Sequence, residues 1–349
     1  MNIAIVGGGI FGTVMACKIA EEHTVHLYEQ HKDILQEASD VNQCRIHRGY
    51  HYPRSNLTTS SVIKAENSFI KYFSNAVMKN TDNYYCISKE GSFTSATKYI
   101  AFCKQFNLEF EPTKLDIINP ESIDLCVKVN ENLFDHALLK KDINEKLEKN
   151  GVHIHLSTKA SADMLKQYDH SIVSTYSNNN SLLEQYPKFQ KNYQFELCEK
   201  VFVKLPISFH QKSVLIMDGP FMSIDPVGST GSFIIGDVVN TVIQQNVGKY
   251  PVIDERYIKL LNKGIIKNPE FTNFPEFIKS GKKFFPELDE AKYLGSSFSI
   301  KTVLPNIDKT DDRPTVVEQI NDKMTTVFSG KILTCVDTAD YVNKIINRI

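Results

Sequence analysis

A polar and aromatic segment, residues 39–54, contains two histidines and three arginines. His47 and His51 are candidate general bases, because a neutral imidazole accepts a proton near neutral pH. If the segment is extended, both rings project to one side of the chain, and Arg48 and Tyr50 project to the other. The alternative is that either histidine only bonds to the backbone of a buried loop. The segment is therefore the first candidate for a reactive site.

The elements that would position this segment begin near the amino terminus. Residues Ile3–Val6 are apolar, β-branched and followed by glycine, which predicts a buried parallel strand. A glycine-rich turn at 7–12 leads into a helical pattern, and Thr24–Tyr28 predicts a second strand that ends at Glu29. A strand, a GxGxxG turn, a helix, a strand and an acid within about 30 residues are typical of a dinucleotide-binding site.

Each glycine of the GxGxxG turn has a separate predicted role. Gly7 permits the tight turn, Gly9 lets the backbone approach a pyrophosphate, and Gly12 allows the helix to pack closely on the strand. The helix N-terminus presents free N–H groups to phosphate oxygens. Glu29 is predicted to accept hydrogen bonds from ribose hydroxyls, which disfavours a 2′-phosphate. The competing interpretation is a turn that packs and binds nothing.

The residues after this unit decide which dinucleotide is expected, because a nicotinamide-binding protein would continue with another helix and strand. Segment 39–54 instead resembles the D-amino-acid-oxidase-like superfamily of FAD-dependent oxidoreductases, which includes glycine, sarcosine and L-2-hydroxyglutarate oxidases. In that family a Ser…Asn…His-x-Gly stretch runs beneath the flavin, and Ser39, Asn42, His47 and Gly49 match it. The His-Arg-Gly-Tyr-His-Tyr run is most similar to the hydroxyglutarate oxidase and glycine oxidase branch.

The resemblance continues along the chain. Asp169–Thr175 resembles the family strand that ends in Ala-Thr-Gly beside FAD, which implies a cofactor contact at Thr175. Tyr176 stands where the family has glycine, and this leaves the local backbone path open. Near the C-terminus a helix is predicted over 336–346, and in the family the turn before it faces the flavin pyrimidine. The residues implied at this turn are Gly330, Lys331, Leu333 and Thr334.

The resemblance implies an α/β fold with an α+β second domain. A Rossmann-like FAD-binding domain would be interleaved with an antiparallel-sheet substrate domain, which strand-like runs at 195–205 and 213–243 support. Residues 254–285 are predicted to be partly helical, with breaks at Pro269 and Pro275. The predicted division assigns 1–83, 127–183 and 302–349 to the FAD-binding domain, and 84–126 and 184–301 to the substrate domain.

The composition excludes several classes of protein. The chain has 349 residues, of which 42% are hydrophobic and 23% charged, and at roughly 150 residues per domain this length suggests two domains. A net charge of −1 gives no general field for nucleic acid or anionic membrane. No apolar run approaches the ~20 residues of a transmembrane helix. Seven scattered cysteines predict reduced thiols without a metal site, and with no leader pattern before Ile3 we expect a cytoplasmic location.

The resemblance also implies the chemistry. FAD would be the cofactor and would accept a hydride at N5, with His47, His51 and Lys301 as the candidate catalytic residues. Family substrates are mostly amino or hydroxy acids, and a carboxylate needs a cation. Relatives that oxidise amino acids place arginine near the position of Lys301. The predicted substrate contacts are Arg54, Tyr52 and Lys301, with Arg48 and Arg313 as alternatives.

Two modes of flavin attachment are considered. Some relatives attach the flavin covalently to a histidine of this same stretch, so His47 is a candidate for attachment as well as for base catalysis. Other relatives use a cysteine in the strand before the C-terminal FAD segment. Residues 299–303 contain no cysteine, so a cysteinyl flavin is not expected.

The implied function is oxidation of a C–N or C–OH bond in a small polar, carboxylated molecule. Three alternatives stay open. The substrate could be nucleotide-linked, carrier-bound or RNA, in a biosynthetic or modification pathway. The protein could be an NAD-dependent dehydrogenase, or a flavin-binding protein that has lost catalysis. The electron acceptor is either oxygen or another partner.

Overall fold

The computed structural model describes residues 1–40, 42–307 and 310–348. These residues form eight α-helices and eighteen β-strands. The helices are α1 (Ile10–Ile19), α2 (Asn56–Tyr72), α3 (Ala96–Gln105), α4 (His136–Lys149), α5 (Ala162–Leu165), α6 (Glu255–Ile258), α7 (Phe274–Gly281) and α8 (Cys335–Ile346). The strands are β1 (Asn2–Val6), β2 (Thr24–Tyr28), β3 (Arg45–Ile46), β4 (Val77–Met78), β5 (Asp82–Ser88), β6 (Phe110–Pro112), β7 (Ile123–Val129), β8 (Asn132–Phe134), β9 (His153–His155), β10 (His170–Val173), β11 (Tyr193–Lys204), β12 (Lys212–Met217), β13 (Met222–Pro226), β14 (Phe233–Asp237), β15 (Val242–Gly248), β16 (Lys292–Val303), β17 (Val316–Asn321) and β18 (Met324–Phe328).

The first sheet has six strands in the order β17-β18-β10-β1-β2-β9. Its strands are parallel from β18 to β9, and β17 pairs antiparallel with β18 at one edge. Four of the five residues of β1 are buried, because an inner parallel strand is covered on both faces. Helix α1 packs against α4 and α8 over one apolar core. The predicted strand–helix–strand unit and the C-terminal helix are therefore confirmed.

The second sheet has nine strands. Eight of them follow the order β15-β11-β14-β13-β12-β5-β7-β6, and β16 pairs with β11 outside this path. The pairings are antiparallel except between β5 and β12, which run parallel. A third, small sheet joins β3, β8 and β4. The mixed α/β fold class is confirmed, and one parallel pair corrects the expectation of a purely antiparallel second sheet.

The region 254–285 contains α6 and α7, as predicted, but one of its two prolines acts differently. Pro275 lies in the first turn of α7, where the missing N–H group is not needed, so the prediction of a break there is wrong. The predicted domain division stays a prediction. Its boundaries after residues 83 and 126 fall inside β5 and β7.

Three further findings concern membrane helices, cysteines and metal sites. No helix in the described ranges is long and apolar enough to cross a membrane. All seven cysteines are free and buried, as the spacing predicts. Within the same ranges, no group of three His, Cys, Asp or Glu side chains is arranged to hold a metal ion.

Candidate active site

Residues of both large sheets line one cavity of about 1460 Å³. On one side it is lined by residues at the carboxyl ends of β1, β2, β10 and β18, where open α/β sheets bind their ligands. On the other side it is lined by residues of β11–β16 and of the loops between them. Its volume exceeds the roughly 300–1,000 Å³ typical of small-molecule sites, which leaves room for a dinucleotide and a second molecule.

The glycine turn after β1 is shaped by close backbone contacts. Gly7 has φ +109°, and a Cβ atom there would overlap the carbonyl oxygen of Ser174. A Cβ atom at Gly12 would overlap the carbonyl oxygen of Gly7. Both glycines are therefore required by the packing of the turn and α1 against the sheet. Gly12 does not line the cavity, which agrees with its predicted role in packing.

Gly9 differs from these two glycines. Its backbone is extended, with φ −72° and ψ 178°, a conformation that any residue can adopt. A Cβ atom there would meet only the Ser39 hydroxyl, at 3.2 Å, on the wall of the cavity. The space in front of Gly9 is therefore part of the cavity and not part of the protein core.

Two polar residues of the 39–54 segment lie against this turn and line the cavity. The Ser39 hydroxyl accepts a hydrogen bond of 3.0 Å from the N–H of Ile10, the first residue of α1. The Asn42 amide donates to the carbonyl of Ser39 at 2.8 Å and accepts from the N–H of Cys44 at 2.7 Å. Val41 lies outside the described residues. The structure thus places Ser39 and Asn42 beside the N-terminus of α1.

Glu29 ends β2 and lines the same side of the cavity. Its Oε2 accepts from the N–H of Gly8 at 2.7 Å, and its Oε1 accepts from the N–H of His31 at 2.8 Å. Burial raises the pKa of the Glu29 carboxyl. The carboxylate is therefore held at the edge of the glycine turn, and its contact with a ribose stays a prediction.

Tyr176 occupies the position at which the family has glycine, and its backbone has φ +53°. Its hydroxyl donates to the carbonyl of Thr302 at 2.7 Å and accepts from the Thr302 N–H at 2.9 Å. Its ring stacks on Phe328 with centroids 5.9 Å apart. The left-handed conformation that glycine favours is thus kept by a tyrosine fixed through its side chain. Thr175 lines the cavity, and its N–H and hydroxyl donate to Asn179.

Only some residues of the turn before α8 line the cavity. Gly330 and Lys331 line it, as predicted. Leu333 and Thr334 do not line it, and their contact with the cofactor stays a prediction. Leu333 is fully buried in the core. The Thr334 hydroxyl donates to the carbonyl of Lys331 at 2.8 Å and also contacts the hydroxyl of Thr315, so it braces the turn from behind.

The two candidate histidines lie together in the cavity wall, with ring centroids 5.1 Å apart. The ring of Tyr52 is 5.7 Å from that of His47 and 4.8 Å from that of His51. The predicted extended conformation is wrong. Gly49 has φ +111°, and the N–H of Tyr52 donates to its carbonyl at 3.0 Å. A turn at Gly49 therefore brings the rings together.

Buried polar atoms of these three residues have no hydrogen-bond partner in the described part of the chain. They are Nδ1 of His47, Nδ1 of His51 and the hydroxyl of Tyr52. Buried polar groups are almost always paired in proteins, so three orphaned atoms in one cavity wall indicate a site for a polar ligand. Together with the open space at Gly9, they fit a bound dinucleotide cofactor and a substrate.

The electrostatic surroundings keep both imidazoles neutral. Burial, together with the nearby Lys331 ammonium, lowers the pKa of His47 and of His51 well below 6.5. Burial and the neighbouring Arg313 guanidinium lower the pKa of Lys331 itself to about 7. The Lys331 Nζ lies 4.4 Å from the ring centroid of Tyr52. The wall therefore combines two neutral bases with a lysine that titrates near neutral pH.

The predicted cationic anchors line the cavity, but each is already part of an ion pair. Arg54 contacts Asp218 at 2.8 Å, Lys301 contacts Glu196 at 2.7 Å, and Arg313 contacts Asp311 at 2.6 Å. Each carboxylate reduces the positive potential that a substrate anion would meet.

A buried charge network that the sequence analysis missed lies behind the histidines. Arg45, two residues before His47, donates to Asp225 at 2.7 Å and to the Ser213 hydroxyl, and it pairs with Glu131 at 3.3 Å. The Glu131 carboxylate also accepts from the N–H of Arg48 at 3.0 Å. Burial raises the pKa of Glu131 to about 7, although Arg45 opposes this. The network connects the histidine turn to the nine-stranded sheet.

The chain is similar to known flavin-dependent proteins. The family model described as FAD dependent oxidoreductase (DAO) matches residues 2–175. A protein of Fusarium mangiferae, named FAD-dependent monooxygenase FPY4, is 23% identical over 339 residues, which cover 95% of this chain and 88% of that protein.

Solved structures share the fold over almost the whole chain. Glycine oxidase from Geobacillus kaustophilus superposes with a TM-score of 0.73 at 12% identity, over 99% of this chain and 94% of its own. L-α-glycerophosphate oxidase from Mycoplasma pneumoniae, solved with FAD bound, gives 0.73 at 17% identity over the same shares. FAD, and not the nicotinamide dinucleotide considered as an alternative, is the cofactor of this family. The chain belongs to the D-amino-acid-oxidase-like superfamily of FAD-dependent oxidoreductases.

Proposed function

We propose that this enzyme oxidises a C–N or C–OH bond of a small polar molecule that carries a carboxylate. The observation that carries the proposal is the pair of neutral, buried imidazoles, His47 and His51. Their Nδ1 atoms have no hydrogen-bond partner among the described residues, although that of His47 lies 3.8 Å from the Glu131 carboxylate. Oxidation of an amine or alcohol removes a hydride from carbon and a proton from nitrogen or oxygen. A neutral imidazole in the wall supplies the acceptor for that proton.

The residues around the glycine turn would hold the cofactor. The N–H groups at the start of α1, with Gly9 and Ser39, face the space for a pyrophosphate. Glu29 would accept from ribose hydroxyls. Asn42, Thr175, Gly330 and Lys331 line the cavity and would complete the wall around the cofactor. Bound FAD supplies the hydride acceptor at N5.

The chain's own residues would handle the proton and orient the substrate. Because burial and Lys331 lower the pKa of both histidines, the rings stay unprotonated at neutral pH and are ready to accept a proton. Tyr52, with its unpaired hydroxyl, would donate to a polar substrate group. Arg54 would bind the carboxylate, and Lys301 is the alternative anchor.

A second candidate reaction is oxygen insertion, since the Fusarium mangiferae relative is named a monooxygenase. It uses the same cavity, and the two reactions differ in their products. Incubation under labelled dioxygen separates them, because only oxygen insertion leaves the label in the organic product.

The proposed function is tested by mixing the enzyme anaerobically with a panel of 2-amino and 2-hydroxy acids and following loss of flavin colour. We expect at least one acid to reduce the flavin. His47→Ala should slow the single-turnover reduction by roughly 10²-fold or more, because the proton loses its acceptor. His210→Ala, which removes an exposed histidine outside the cavity, is the matched control. An unchanged rate in His47→Ala would assign His47 a purely structural role.

A further inference from the structure

Part of the rim of the cavity is apolar. Beside the glycine turn, the exposed lining residues are polar: Gln30, Lys159, Ser161, Glu184 and Gln185. On the opposite side Gln245 and Lys301 are also exposed, but three apolar lining residues, Phe93, Val238 and Val239, are 61%, 62% and 60% exposed. We call these three residues, together with Pro220 and Phe221, the apolar rim.

The apolar rim is one continuous surface. The N–H of Phe93 donates to the carbonyl of Asp218 at 2.8 Å, and the N–H of Val238 donates to the carbonyl of Phe221 at 2.9 Å. Asp218 and Phe221 belong to the same short loop between β12 and β13. Three loops therefore meet and present their apolar side chains around one side of the opening.

Arg54 links the rim to the reactive wall. Its guanidinium lies 5.2 Å from the ring centroid of Phe93 and is ion-paired with Asp218. Arg54 is also three residues after His51, and a hydrogen bond from the Ser55 N–H to the Tyr52 carbonyl keeps this part of the chain in a turn. Arg54 thus lies between the apolar rim and the two histidines in the wall of the cavity.

We propose that the substrate is an amphipathic acid whose carboxylate binds Arg54 and whose apolar part, an aromatic ring or several methylene groups, lies against the apolar rim. This inference rests on the proposed function. A small substrate without an apolar part would leave three large hydrophobic side chains in water beside the cation that binds it. The rim is continuous with the cavity and with Arg54, so its occupant enters the cavity and is not a separate macromolecule.

The experiment measures binding calorimetrically on the holoenzyme, with acetate, butyrate and hexanoate as probes. We expect affinity to rise about fourfold for each methylene that leaves water. The Val238→Ser/Val239→Ser variant, which keeps the Phe93 ring beside Arg54, should abolish most of this increase. Ile207→Ser is the matched control, because Ile207 is 84% exposed and does not line the cavity. Val239→Ser alone should give a smaller effect if the double variant folds poorly.

Three outcomes overturn the inference. The first is an affinity that does not depend on chain length, and the second is a dependence that survives in the rim variants. The third is an oligomer of the wild-type enzyme that dissociates in those variants, since the rim would then be a contact between copies. A series of 1-alkanols tests the proposed function separately. If alcohols bind as tightly as acids of equal length, and both gain with length, the carboxylate assignment fails while the rim assignment stands.

Discussion

At the scale of single residues, the glycine turn separates two functions that the GxGxxG pattern combines. Gly12 is required by packing, because a Cβ atom there would overlap the carbonyl of Gly7. Gly9 is required by nothing in the protein core, since its backbone is extended and it faces the cavity. Folding therefore depends on Gly12, whereas the predicted binding of the cofactor depends on Gly9.

This difference gives a paired prediction. Gly9→Val should fold with an unchanged circular dichroism spectrum but lose FAD, because its side chain occupies the approach of the pyrophosphate. Gly12→Val should instead fail to fold or melt at a much lower temperature. The check is the flavin content of the protein after gel filtration, beside a thermal melt. A Gly9→Val protein that keeps stoichiometric FAD would remove the pyrophosphate site from this turn.

Lys331 gives a prediction of pH dependence. Its pKa is about 7 in the folded protein, against 10.5 for an ordinary lysine. Between these values the unfolded chain binds the extra proton, so the free energy of unfolding rises with pH across this window. Below this window the half-buried Lys331 is charged in the folded protein as well, which then carries the full cost of that charge.

In the flavin-free protein, we therefore expect Lys331→Met to raise the Tm by a few degrees near about pH 6 and by less toward about pH 10. Lys344→Met, on the exposed side of α8, is the control and should show no such trend. The measurement is a series of thermal melts across pH. A change in Tm on Lys331→Met that is the same at every pH would contradict the lowered pKa of Lys331.

At the scale of elements, the histidine turn is held by the buried network of Arg45, Asp225 and Glu131. Removing the guanidinium leaves two carboxylates buried without their cation. Arg45→Ala should therefore lower the free energy of unfolding by roughly 3–5 kcal/mol. Arg256→Ala removes an exposed arginine that also pairs with an aspartate, and it should cost less than about 1 kcal/mol. Urea unfolding of both variants gives the comparison, and equal small losses would contradict the role of the network.

The elements that could be predicted from sequence are those whose signals are local. β1, α1 and β2 follow from apolar runs and glycines that are close in the chain. The histidine turn could not be predicted, because the positive φ of Gly49 decides it and a glycine also tolerates an extended strand. The Arg45–Asp225 pair joins residues 180 positions apart, and no local pattern records such a contact.

The conformation at Tyr176 is a further case. A tyrosine in place of the family glycine leaves the backbone path undecided in the sequence. In the structure Tyr176 has a left-handed conformation, and two hydrogen bonds between its hydroxyl and Thr302 fix its side chain. Thr302 belongs to β16 of the nine-stranded sheet and lies 126 residues after Tyr176 in the chain. No local sequence pattern therefore predicts the hydrogen bonds that fix Tyr176, because they form only when the two sheets pack together.

At the scale of the whole molecule, the cavity depends on the two large sheets together. The six-stranded sheet supplies the wall beside the glycine turn, and the nine-stranded sheet supplies Lys301, Asp218 and most of the apolar rim. The segment from 39 to 54 passes between them and carries the histidines. Mixed parallel and antiparallel sheets were expected from the resemblance. The ion pairs of Arg54 and Lys301 were not, because their partners Asp218 and Glu196 are more than 100 positions away along the chain.

The measurement that tests the account most directly is the visible absorbance spectrum of the purified protein, recorded before and after acid precipitation. The central claim is that FAD is held non-covalently in this cavity, beside a His47 ring that is free to accept a proton. We predict a flavin band that moves entirely to the supernatant. A colourless protein that cannot be reconstituted with FAD would contradict the cofactor site, and a flavin that stays with the pellet, bound to His47, would contradict its role as a base.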